Sequence, residues 1–160
     1  MSTKNDYSAE EWKAITGAPV AAGMFVSLSD ASGPIGIAKE ALAVGRAIAN
    51  SAGGDAPEIV KSLAESVRAG GGRPELPNVP TGDRARTKDA LIGTLKTAVD
   101  AVERKSPSEA PGYKSWLTSV ATKVSEASRE GGFLGIGGTD VSPSEEEALN
   151  KLAEVLSPRR

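Results

Sequence analysis

The chain has no cysteine and no histidine. Without cysteine there is no disulfide, no thiolate metal ligand and no thiol nucleophile. Without histidine the commonest general base and metal ligand is gone. The Ser-His-Asp triad and the Glu-x-x-His sets of helical di-iron sites go with it. Aromatic residues make up 4% of the chain. A core must therefore be built from Ala, Val, Leu and Ile, with Trp12, Phe25, Trp116 and Phe133 as the few large pieces. An excess of one charge is also missing, since 19 Lys and Arg stand against 21 Asp and Glu, for a net −2. That balance gives no general attraction to nucleic acid or to anionic membranes. The densest basic group, Arg73, Arg84, Arg86 and Lys88, is interrupted by Glu75, Asp83 and Asp89.

A long apolar run is lacking too. The uncharged stretch 14–29 is shorter than the ~20 apolar residues that span a bilayer, and Gly17, Pro19 and Gly23 dilute it. It reads as a buried central helix. Lys4 and Lys13 are outnumbered by Asp6, Glu10 and Glu11, so no basic leader precedes it. These absences lead us to expect a cytoplasmic protein with no membrane partner, no nucleic-acid partner, no metal and no cofactor.

What is present is helical periodicity. With 160 residues and 39% hydrophobic content, the chain can bury one core. We expect an all-α fold, a single-domain bundle of six or seven helices over 1–160. Residues 1–7 are expected to fray and 157–160 to form a tail. Ser8 and Glu11 have capping-box spacing and open a first helix over about 9–17. Pro19 should break it and begin a second over about 19–29. A third, about 34–52, carries a face of Ala38, Ala41, Leu42, Gly45, Ile48 and Ala49, small enough for close helix packing. A second capping box, Asp55 with Glu58, precedes a fourth helix with the stripe Ile59, Val60, Leu63, Ala64 and Val67.

Residues 70–80, rich in Gly and Pro, cannot be regular helix and should separate four helices from three. The strongest helix covers about 82–105, lined by Leu91, Leu95, Val99 and Val102 with Ile92 and Ala98 alongside. The next covers about 108–130, its start loosened by Pro111 and Gly112, with the stripe Tyr113, Trp116, Leu117, Val120, Val124 and Ala127. A third capping box, Ser142 with Glu145, precedes a last helix buried through Leu149, Leu152, Val155 and Leu156. No alternating strand pattern occurs.

No motif names a reaction. The Gly-rich stretch 131–138 fits neither the dinucleotide fingerprint nor the P-loop. Its backbone could still present N–H groups to an anion ahead of a helix, with Trp116, Phe133, Gly135, Gly137 and Gly138 around a pocket. Asp140 and the carboxylates of Glu145, Glu146 and Glu147 oppose an anion there. The plainer reading is a turn that plugs the bundle end with Phe133, Leu134 and Ile136. The stretch 30–36 places Gly36 seventh and Ala41 twelfth, which fails the EF-hand pattern and leaves a helix–helix turn. Glu145, Glu146 and Glu147 point about 100° apart, so they complement a helix N-terminus rather than share a ligand. Adjacent Lys61-Ser62 and Lys114-Ser115 pairs do not face each other and form no Ser-Lys dyad.

Trp12 lies in a short, weakly apolar helix and is the candidate interface residue. Core packing is the plainer use of both Trp12 and Trp116, because each carries so much apolar area.

Four segments carry a resemblance: Tyr-Ser-Ala-Glu-Glu-Trp at 7–12, the Ala18-Pro19 step, Ser-Asp-Ala-Ser-Gly at 29–33, and Gly-Gly-Phe-Leu-Gly-Ile-Gly-Gly at 131–138. Through them the chain resembles small bacterial all-α proteins that carry no assigned function. The resemblance implies a helical fold and transfers no site.

The expected function is a non-enzymatic interaction or structural role, with a homodimer or another protein chain as partner. A small-ligand or anion binder at the 131–138 stretch is the alternative. Nucleic-acid binding through 73–88 ranks last, given the charge balance.

Overall fold

The computed structural model describes residues 2–28, 37–51, 53–70, 77–80, 82–130 and 143–157, with side chains omitted at 37–42 and 127–130. The described residues form a short 3-10 helix, Lys4–Asp6, and six α-helices. These are α1 (Ala9–Ser27), α2 (Ile37–Ser51), α3 (Glu58–Ala69), α4 (Arg84–Lys105), α5 (Ala110–Glu130) and α6 (Pro143–Leu156). No strand occurs among them. The fold is an all-α bundle, as the periodicity predicts.

α1 is the axis of the bundle. It packs chiefly against α4 and α5, and also touches α2 and α6. Every residue from Ala14 to Val26 is buried. The expected division into four helices and three does not separate two bodies, because the main partners of α1 come from the other side of the 70–80 stretch. α4 runs antiparallel to α1, with Lys105 beside Glu11 and Lys88 over the Phe25 ring. α5 runs parallel to α1, with Tyr113 beside Ile15 and Val124 beside Gly23. A Cβ on Gly23 would lie 3.3 Å from Val124 and 3.4 Å from Val44, so the missing side chain sets how closely α5 and α2 approach.

Two expected helices prove to be one. Pro19 lies inside α1, which continues without a break from Ala9 to Ser27. Proline in a helix interior costs about 3 kcal/mol or more. Against that, Ile15, Val20, Met24, Phe25 and Val26 are buried along the same helix, each contributing ~1.5–3 kcal/mol. Burial outweighs the local penalty, and α5 supplies part of what the proline removes. The Tyr113 hydroxyl donates to the Ile15 carbonyl at 3.0 Å. That carbonyl is four residues before Pro19, and so has lost its helical N–H.

Of the three predicted capping boxes, the one at Ser8 and Glu11 forms. Ser8 Oγ accepts from Glu11 N at 3.2 Å, and Glu11 Oε2 accepts from Ser8 N at 2.8 Å. The Asp55 and Glu58 box does not. Pro57 is the N-cap of α3 and gives no side-chain cap, while Glu58 pairs with Lys61. The cap comes from elsewhere: Glu109, between α4 and α5, accepts from Ile59 N at 3.2 Å. Ser142 lies outside the described residues. Glu145 is buried and accepts from Ser125 Oγ at 3.1 Å, while Glu146 and Glu147 are exposed. So Glu145 turns inward rather than serving the helix end alone.

Pro111 and Gly112 do not loosen α5, since both lie in its first turn. Pro111 sits where the N–H has no helical partner anyway. Gly112 lets Pro57 approach, because a Cβ there would be 2.7 Å from the proline ring.

Candidate functional site

The densest set of polar contacts among the described residues lies at the corner between α4 and α5, where the N-terminal segment docks. Ser106 ends α4, its N–H bonding to the Val102 carbonyl at 2.7 Å. Its own carbonyl then accepts from Glu109 N and Ala110 N, which starts α5. With the backbone committed to both helices, the side chain faces inward. Ser106 Oγ is hydrogen-bonded to Tyr7 Oη at 2.8 Å and to Ser2 Oγ. Ser62 of α3 donates to the Ser2 carbonyl at 2.9 Å.

Residues 2–7, expected to fray, are therefore tied down. Ser2 is 6% exposed and Tyr7 7%. The short helix Lys4–Asp6 closes on itself. Thr3 N donates to Asp6 Oδ2 at 2.7 Å, which with the Thr3 hydroxyl holds the Asp6 carboxyl below its ordinary range.

Charge surrounds this corner. Glu11 accepts from Lys105 at 2.7 Å and from Arg104 at 2.8 Å. The Lys105 hydrogen bond, followed by the Ser8 N–H, brings the Glu11 carboxyl down to about 2. Lys105 also donates to the Asp6 carbonyl at 2.9 Å and sits 5.6 Å from the centre of the Tyr7 ring. Beyond it, the outer face of α4 forms a cleft of about 600 Å³ lined by Thr97, Asp100, Glu103 and Arg104. Lys114 of α5 pairs with Glu103. Arg104 belongs to both features, lining the cleft and holding Glu11.

Inside the corner, Tyr113 is fully buried and desolvation pushes its phenol up. It stays a neutral donor at any ordinary pH. That suits a structural hydrogen bond and not proton transfer.

Of the residues singled out from sequence, Trp12 and Trp116 are among those described, and both are buried. Trp12 is 7% exposed and its ring lies 5.9 Å from that of Tyr7, so the candidate interface residue is part of the chain's own core. Trp116 is 8% exposed, 5.9 Å from the Tyr113 ring, and its indole N–H is buried without a partner among the described residues. Phe133, Gly135, Gly137 and Gly138 lie outside the described residues. The 14 residues of α5 that separate Trp116 from Glu130 span about 21 Å along the axis. Trp116 is thus near the opposite end of α5 from where the Gly-rich stretch begins.

Sequence reading missed Tyr113 and Ser106 as hydrogen-bonding side chains, and Ser2 and Glu109 altogether. A signal existed for Tyr113: a proline within an apolar helix leaves a buried carbonyl that needs a donor. Nothing local marks the other three, whose partners lie 50 or more residues away in the chain.

No helix among the described residues is long and apolar enough to cross a membrane. No protein-family model matches the chain, and neither does any curated protein or solved structure.

Proposed function

We propose that the protein is a non-enzymatic interaction protein that pairs with a second copy of itself through the outer face of α4. The observation that carries this reading is the cleft at Thr97, Asp100, Glu103 and Arg104. Carboxylates and a guanidinium share one helix face there. A two-fold axis near these residues would set the Asp100 of each copy against the Arg104 of the other, and such an isologous contact needs one self-complementary patch. Arg104 keeps 67% of its side-chain exposure while holding Glu11, so donors remain for a second chain. The polar groups of the corner support the non-enzymatic part, because they bind one helix to another. A cytoplasmic location fits a chain without cysteine, as would any other compartment. The resemblance to small bacterial helical proteins agrees with this reading and adds no activity to it.

Sedimentation velocity across a hundredfold range of concentration is the test. The expected result is a monomer–dimer equilibrium weakened by salt and by Arg104→Glu, and partly restored by combining Arg104→Glu with Asp100→Arg. A monomer at every concentration removes the reading.

A second reading rests on Trp116, whose buried N–H has no acceptor among the described residues. A small ligand carrying an acceptor would satisfy it. A thermal-shift screen against phosphorylated metabolites, followed by tryptophan fluorescence, tests this. No shift at millimolar ligand leaves it without support.

A further inference from the structure

The segment ahead of α1 is attached in a way the helices are not. Thr3, Lys4, Asn5 and Asp6 are exposed, and the segment buries little besides Ser2 and the Tyr7 ring. What holds it is a short set of polar contacts, most of them to one corner. Ser106 Oγ meets Ser2 Oγ and Tyr7 Oη, Lys105 reaches the Asp6 carbonyl, and Ser62 reaches the Ser2 carbonyl. The helices behind it are held by apolar faces, with Ile15, Leu91, Leu95 and Leu117 at 0% exposure. A unit fastened by few hydrogen bonds opens at lower free energy than one fastened by a core.

We propose that residues 2–7 are a latch, pinned by Ser106, that opens as a unit while the helical bundle stays folded. A serine hydroxyl has one proton and two lone pairs. Ser106 can donate to one of its partners while accepting from the other, so one side chain holds both ends of the segment. Because its backbone also ends α4 and starts α5, the pin is fixed in place whether the latch is open or closed. Opening lifts the Tyr7 ring from Trp12 and from Lys105, and uncovers the hydroxyls of Ser62 and Ser106. The bundle therefore has two surfaces at this corner, one closed and one with Trp12 and two serines accessible.

Hydrogen exchange on the full chain reads this directly. The amides of Thr3, Asp6 and Tyr7 bond within the segment, and a helix of so few residues does not persist once released from the corner. In the wild type they should be protected, yet exchange faster than amides of α5 between Tyr113 and Val124. Ser106→Ala should speed them about tenfold, the scale of a lost buried hydrogen bond, and leave α5 unchanged. Tyr7→Phe, which keeps the ring and removes one bond to the pin, should do the same to a smaller extent. Three results would each overturn the proposal: no protection in the wild type, exchange in step with α5, or exchange at 3–7 unaffected by both substitutions.

Discussion

The Tyr113 hydroxyl stands 3.0 Å from the Ile15 carbonyl and replaces the N–H that Pro19 cannot offer. A side chain on α5 thereby repairs a gap in the hydrogen-bond ladder of α1. The repair is buried, with both Tyr113 and Ile15 at 0% exposure, so water cannot substitute for it. An unpaired carbonyl at that depth is costly. The identity of Tyr113 is thus linked to the position of Pro19 through the Ile15 carbonyl, 98 residues away in the sequence.

Tyr113→Phe should accordingly destabilise the protein by about 1–3 kcal/mol, the penalty for leaving a buried acceptor unpaired. The ring and its contact with Trp116 are retained, so packing changes little. Urea denaturation followed by circular dichroism measures this, and the midpoint should fall with an unchanged slope.

Two glycines in helices should respond in opposite ways to alanine. A Cβ on Gly112 would stand 2.7 Å from the Pro57 ring, which has little freedom to move, whereas nothing among the described residues lies within 4 Å of one on Gly93. Helix propensity favours alanine by about 1 kcal/mol at either site. Gly93→Ala should therefore stabilise by ~0.5–1 kcal/mol. Gly112→Ala should lose about 1–2 kcal/mol net, because overpacking exceeds the propensity gain. Equal effects at the two sites would show that the Pro57 contact is unimportant.

Stability should fall in acid partly through Glu11. Its folded pKa of about 2 lies below the ordinary 4.5, chiefly because Lys105 donates to it. The contribution is complete above pH 4.5 and is lost as pH falls from there towards 2. Asp6 shifts in the same direction. A melting-temperature profile from pH 7 to 2 should steepen in that window, and Glu11→Gln should flatten this part of it.

Glu109 should act as the cap of a helix it does not belong to. Glu109→Ala should cost ~0.5–2 kcal/mol, as for loss of an N-cap. It should also speed exchange of the Ile59 amide. Asp55→Ala, which removes the cap expected from sequence, should have little effect on that amide.

Much of the helical architecture is legible because burial at every third or fourth position leaves its mark. Leu91, Leu95, Val99 and Val102 on α4 and Tyr113, Leu117, Val120 and Val124 on α5 are buried as their spacing predicts. The uncharged run of α1 predicts a central helix, and it is one. The break at Pro19 is misread because local propensity says nothing of a donor that arrives from another helix. The Asp55 cap is misread for the same reason: Pro57 and Glu109 take the role through tertiary contact. At the corner, Glu11 is recognisable only as a local cap. Its partners Arg104 and Lys105 are more than 90 residues away, and no pattern in the sequence joins them.

Tyr113 matters because of Pro19, and a double-mutant cycle between Tyr113→Phe and Pro19→Ala measures the link. Alanine at position 19 supplies the missing N–H to Ile15. We predict that Tyr113→Phe costs about 1–3 kcal/mol in the wild type and less than about 0.5 kcal/mol in the Pro19→Ala background. The same cost in both backgrounds would show that the hydroxyl serves something other than the carbonyl that the proline leaves bare.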